Sequence, residues 1–333
     1  MGTQKKLHKM LLSRRKKIKE TLRKYGDAWL IVSSGKTDSN VDYMLGTHTF
    51  GTVVVLFTVD EINVLVSTLE KSFVENLPHI DNIETYYGRN EFISKMKKMI
   101  RPLVGLRILA NFAAPEICPH ASRLPFSVYK EIKFLSETYE FRLHSAGRFV
   151  CDLRKTKTQE ELDILKDSVN IATDILNNLA DSSIIKPGTS EREIAAELYK
   201  ASYIHGEPAF EVIVASGPNT ANPHHVISDR KIKNNDIVYI DFGVRYLTMC
   251  SDITRVYTVG NPERKIYDAY EAVFSAQREA IASINSGETC SKPDKIARDT
   301  LEKMGYDPKL FSHSLGHALG VDVHDVGPPL SKL

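Results

Sequence analysis

The sequence predicts an α/β protein of two domains. Three observations carry this. The chain has 333 residues, too many for one ordinary core and about right for two. Short β-branched runs alternate with helical patterns over the first 150 residues. A polar boundary near Val150 to Thr158 then opens a long amphipathic segment.

The elements follow in chain order. Lys5 to Lys24 is very basic, and Leu7, Met10, Leu11, Ile18 and Leu22 give it an apolar stripe at helical spacing. A helix bound to a membrane surface or to nucleic acid would look like this. A first helix with a solvated basic face is the plainer reading, and we adopt it. Ala28 to Ser33 is a short apolar run ending in Ser-Ser-Gly. Thr52 to Val59 and Ile62 to Ser67, joined at Asp60-Glu61, predict a hairpin. Leu106 to Ala110 predicts a strand; Phe92 to Ile100 and Tyr129 to Leu135 predict helices. No catalytic cluster shows in residues 1–150.

Past the boundary, Gln159 to Ala180 predicts a helix with Leu162, Leu165, Val169, Ala172, Leu176 and Leu179 on one face. Ser190 and Glu193 form a capping-box pattern. Ile185-Lys-Pro-Gly188 and Ile284-Asn-Ser-Gly287 each precede a helical pattern, with the glycines 99 positions apart. A duplicated half-domain would produce that echo, and so would chance.

Composition excludes several classes. Hydrophobic residues make up 42% and charged residues 26%, a globular balance. Net charge is +2, which does not suit a whole-protein polyanion binder. Cys118, Cys151, Cys250 and Cys290 lack CxxC spacing, against a disulfide framework or a thiolate zinc site. No apolar run reaches the roughly 18 residues of a membrane span. Neither a signal peptide nor a complete myristoylation motif is present, since position 6 is Lys6. The expectation is a cytoplasmic protein with no membrane and no nucleic-acid partner.

The chemistry concentrates in two stretches. Ile237 to Val259 is β-rich at both ends, yet each end holds an aspartate, Asp241 and Asp252. Acidic residues are depleted in strands. A hairpin centred near Tyr246-Leu247 would place the two aspartates directly opposite, about 5 Å apart, where like charges repel. A bound cation would remove the conflict; two turn or cap aspartates are the alternative. Five of the eleven histidines fall in two segments: His224-His225, then His313, His317 and His324. His313 and His317 have i, i+4 spacing, but Gly316 and Gly320 argue against a regular helix there, and the glutamate of an HExxH pattern is absent. Carboxylates with an imidazole suit manganese, cobalt, iron or zinc. Two carboxylates able to bridge suit ions about 3.5–4 Å apart.

The ordered series Val214-Ala-Ser-Gly-Pro-Asn219, Pro223-His224, Ser228-Asp-Arg230, Asp241-Phe-Gly243, Ser251-Asp252-Ile-Thr-Arg255, His313-x-x-x-His317 and His324-Asp325-Val-Gly327 closely resembles the metallopeptidase family of aminopeptidase P, prolidase and methionine aminopeptidase. The resemblance runs from about Arg154 to the end. It implies a pita-bread fold over 155–333, two α/β halves related by pseudo-symmetry. It also implies a smaller creatinase/prolidase-like N-terminal α/β domain over 1–150, which methionine aminopeptidases lack.

The resemblance further implies roles. Asp241 would hold one divalent metal ion, His317 the other, and Asp252 would bridge both. His224, His313 and His324 would line the cleft, with His224 and His324 orienting the scissile carbonyl. Short proline-containing peptides would be the substrates, hydrolysed by water activated at the metals, and the protein would be a homodimer. The family completes its site with two glutamates beyond the equivalent of His324. This sequence reaches Leu333 without them, so the expectation is an inactive fragment whose catalytic domain lacks its C-terminal end. Creatinase shares the fold without a metal, but retained Asp241, Asp252 and His317 count against that reading. A non-catalytic pita-bread binding or scaffold module is the alternative function.

Overall fold

The computed structural model describes residues 2–114 and 117–331. Two compact units emerge: residues 1–164 with 247–249 and 320–326, and residues 165–246 with 250–319 and 327–333.

The first unit is built on α1 (Thr3–Tyr25), β1 (Ala28–Ser34), α2 (Ser39–Leu45), β2 (Thr52–Thr58), β3 (Ile62–Ser67), β4 (Asn82–Tyr86), α3 (Gly88–Ile100), β5 (Arg107–Ala110), α4 (Phe126–Thr138), β6 (Arg142–Ser145) and α5 (Gly147–Arg154). The six strands form one sheet in the order β4-β3-β2-β1-β5-β6. β1 runs antiparallel to β2 and parallel to β5. Six successive residues of β1 are buried, which an apolar central strand covered on both faces requires. Leu30, Val32, Val54 and Leu56 form a core with Met96 and Ile100 of α3 and Ile132 and Leu135 of α4. α1 buries Met10, Leu11, Ile18 and Leu22 and leaves Lys5, Lys9, Lys16, Arg23 and Lys24 exposed. Its one buried cation, Arg14, bonds Glu161 at 2.9 Å and the Tyr43 carbonyl at 3.0 Å, which satisfies a charge that would otherwise be costly to bury.

α6 (Gln159–Asp181) leads into the second unit. There follow α7 (Glu191–His205), β7 (Glu207–Pro208), β8 (Ile213–Ser216), β9 (Ile237–Phe242), β10 (Val244–Tyr246), β11 (Met249–Cys250), β12 (Ile253–Thr258), α8 (Arg264–Ala282), α9 (Ser291–Lys303), β13 (Gly316–Ala318) and β14 (Asp325–Leu330). Strands pair in the orders β11-β10-β7, β12-β9-β8 and β13-β14. Ala172, Leu176 and Leu179 of α6 pack with Ile194 and Leu198 of α7 against Val238, Ile240 and Phe242 of β9. The capping box at Ser190 and Glu193 forms in both directions. Gly188 and Gly287 share a left-handed backbone, φ 92° and 89°, so the echo in the sequence extends to conformation. No helix among the described residues is long and apolar enough to cross a membrane.

Candidate metal centre

β9 alternates cleanly. Val238, Ile240 and Phe242 are buried in the core, and Tyr239 and Asp241 lie on the other face, half-buried. β9 runs between β8 and β12, so Asp241 faces Ile213 on one side and Thr254 on the other. The Thr254 hydroxyl donates to Asp241 Oδ1 at 3.0 Å.

The register corrects the expected one. Leu247 and Thr248 hold φ of 47° and 74°, the pair of left-handed residues a type I′ hairpin turn needs. The centre therefore falls between Leu247 and Thr248, one residue step beyond the Tyr246-Leu247 position inferred from the sequence. Asp241 faces Thr254, and the Ser251 N–H reaches the Val244 carbonyl at 2.9 Å, which brings Asp252 opposite Gly243. Asp252 lies one residue before β12 and two before Thr254, the direct partner of Asp241. Asp252 is thus the diagonal neighbour of Asp241. The two carboxyl groups are near enough for the charge of one to act on the other. Burial and the neighbouring Asp252 charge push the Asp241 carboxyl up to about 6. Gly243 permits the approach: a Cβ there would run into the Ser251 carbonyl and the Phe210 ring.

His317 lies on β13, and not in the regular helix that Gly316 and Gly320 argued against. Its Nε2 is 3.2 Å from Asp252 Oδ2, and its Nδ1 is 3.2 Å from the Ala318 carbonyl. With Nδ1–H donating to that carbonyl, Nε2 meets a carboxylate either as the second N–H of an imidazolium or as a lone pair sharing a cation with it. The donor chemistry of Asp241, Asp252 and His317 fits divalent cations.

The rings of His224 and His313 are neighbours in the second unit, with centroids 5.8 Å apart and planes at 59°. Both are exposed. The carbonyl of His313 accepts from Arg298 Nη2 at 2.7 Å, and Arg298 also bonds the Phe311 carbonyl and the buried Asp294. The sequence reading passed over Arg298, which in one dimension is an ordinary i, i+4 helix pair. His324 is exposed in the segment 320–326, which belongs to the first unit.

A second group of metal-type donors lies in the first unit. His120, Asp322 and Asp325 offer atoms within 4.8 Å of one another, which Asp241, Asp252 and His317 do not. This group already holds its own cations. Arg154 reaches Asp322 at 2.9 Å and Asp325 at 2.6 Å, and Lys157 reaches Asp325 at 3.3 Å. Against its burial, bonds from His120, Ser39 and Arg154 hold the Asp322 carboxyl well below the usual carboxylate range. The two groups differ: Asp322 is compensated by its own cations, whereas burial and the Asp252 charge raise the pKa of Asp241. Asp241, Asp252 and His317 also form a line with Asp252 in the middle, not a closed triangle.

Comparisons with known proteins show the family and the fold. Residues 163–332 match the model of metallopeptidase family M24. The chain is 32% identical over 288 residues to the Xaa-Pro dipeptidase of Pyrococcus horikoshii, covering 86% of this chain and 76% of that protein. It is similar to the crystal structure of the prolidase from Pyrococcus horikoshii (TM-score 0.77, 31% identity, 96% of this chain and 85% of that one). It is also similar to the X-Pro aminopeptidase of Thermotoga maritima (TM-score 0.79, 26% identity, 94% and 85%).

Proposed function

The chain belongs to metallopeptidase family M24, and we propose that it is built to hydrolyse the peptide bond next to proline in short peptides, at a centre of two divalent ions. Asp241, Asp252 and His317 are the ligands, with Asp252 shared. The observation that carries this reading is the Asp241–Asp252 carboxyl pair with His317 Nε2 at 3.2 Å. Manganese, cobalt, zinc or iron suits that donor set, and such ions would supply Lewis-acid activation of water and of the scissile carbonyl. His224 and His313, neighbours in the second unit, are read as substrate-cleft residues. The exposed imidazole of His224 is suited to donate an N–H group to the carbonyl oxygen as charge develops on it.

The substrate class rests on the relatives, an Xaa-Pro dipeptidase and an X-Pro aminopeptidase, together with an N-terminal domain read over residues 1–150 and a catalytic domain over 155–333. A cytoplasmic homodimer completes the reading.

The test is an assay of the protein with manganese or cobalt on X-Pro dipeptides, X-Pro-Y tripeptides and Met-Ala-Ser. Cleavage of the X-Pro substrates is expected. Preference for Met-Ala-Ser overturns the assignment.

A further inference from the structure

The loop that carries His224 is tied to one buried carboxylate. Glu191, the first residue of α7, is 0% exposed. Its Oε1 accepts from the Ser216 backbone N–H (2.8 Å), the Ser216 hydroxyl (2.8 Å) and Asn219 Nδ2 (2.9 Å). Its Oε2 accepts from the Ser228 N–H (3.2 Å) and hydroxyl (2.6 Å), and lies 2.8 Å from His225 Nε2. The donors thus come from both ends and the interior of residues 216–228. The helix N-terminus adds a favourable positive potential. Burial opposes ionisation, yet the bonds from Ser228, His225, Asn219 and Ser216 win and hold the carboxyl down to about 2.

This position requires a carboxylate. Each oxygen takes a backbone N–H, Ser216 on one and Ser228 on the other, and a backbone N–H cannot reverse its role. A glutamine must turn its NH2 toward one of them, leaving a buried donor facing a donor, which costs more than a missing bond in water would. Capping α7 does not explain Glu191, because Ser190 and Glu193 already do that.

We propose that Glu191 is the positioning residue of His224: it clamps residues 216 and 228 to the start of α7, and so fixes the loop on which the His224 ring stands against His313. The consequence for catalysis rests on reading His224 as a cleft residue; the clamp itself needs no metal.

The test is NMR on the metal-free 333-residue protein, so that failure of the metal reading leaves its result intact. In Glu191→Gln, the cross-peak between the His224 and His313 rings should be lost. Amide exchange at Ser216 or Ser228 should quicken on the order of tenfold to a hundredfold, the loss of one bond to a charged acceptor, while exchange at Ile240 in the core strand β9 holds. An intact cross-peak with unchanged exchange at both serines overturns the proposal. So does Ile240 quickening in step with them, which marks Glu191 as a general stabiliser. Should Glu191→Gln not fold, Ser228→Ala decides: it keeps the carboxylate and both backbone donors and removes the hydroxyl that donates to Glu191 and accepts from the Arg230 N–H. Faster exchange at position 228 with Ile240 unchanged supports the clamp, and unchanged exchange at 228 overturns it.

Discussion

Asp252 stands diagonally across β9 and β12 from Asp241, on one sheet face, and each has a different further neighbour. Thr254 donates to Asp241, and His317 reaches Asp252. Asp252 is therefore the middle group of three. A carboxylate in that place touches both of its neighbours' surroundings, whereas Asp241 and His317 each touch one.

From that arrangement, Asp252→Asn should cost more bound metal than His313→Ala. The amide keeps the shape but removes the charge shared by both ions, while His313 is read as a cleft residue. Metal content by mass spectrometry checks this. Equal loss in the two variants would remove the role assignment.

Gly243→Ala should destabilise the second unit. The new methyl meets the Ser251 carbonyl, which is backbone and cannot swing aside, and the Phe210 ring. Overpacking of this kind costs about 1–3 kcal/mol. The urea midpoint should fall with an unchanged slope. An unchanged midpoint would mean that β9 and β12 part more easily here than their register implies.

The sequence made the apolar strands and the long amphipathic helices legible. β1, β2 and β3 stand where β-branched runs predicted them, and Ser-x-x-Glu marked the start of α7. The approximate pairing of the strands that carry Asp241 and Asp252 was legible too. The exact register was not, because Leu247 and Thr248 fill the two left-handed turn positions without the Asn-Gly signal that marks such turns. β4 and β6 escaped because they are short edge strands with polar residues. Glu191 escaped for another reason. Its partners lie 25 to 37 residues away, and a buried acid at a helix start reads in one dimension as an ordinary first-turn glutamate.

His79 should give the first unit an acid-sensitive step. It is 1% exposed, and burial lowers its pKa from 6.5 to about 4, despite a bond to the Met44 carbonyl at 2.6 Å. The unfolded chain takes up a proton near 6.5 and the folded one only near 4. Stability from this group is thus full above 6.5, falls as pH drops through that window, and levels off below it. The whole step is at most about 3 kcal/mol. Urea unfolding at pH 7 and pH 5 should show the loss in the native sequence and a shallower one in His79→Gln, which can still donate to Met44. Identical pH slopes would place the sensitivity elsewhere.

The most direct test of the central claim is manganese binding to the 333-residue protein, read by water-proton relaxation, in the native sequence, Asp252→Asn and His120→Ala. The native protein should bind manganese. Asp252→Asn should abolish that binding, and His120→Ala should leave it unchanged, because Arg154 and Lys157 already neutralise the cluster to which His120 belongs. Binding that survives Asp252→Asn, or that disappears in His120→Ala, would contradict the assignment of Asp241, Asp252 and His317 as the metal centre.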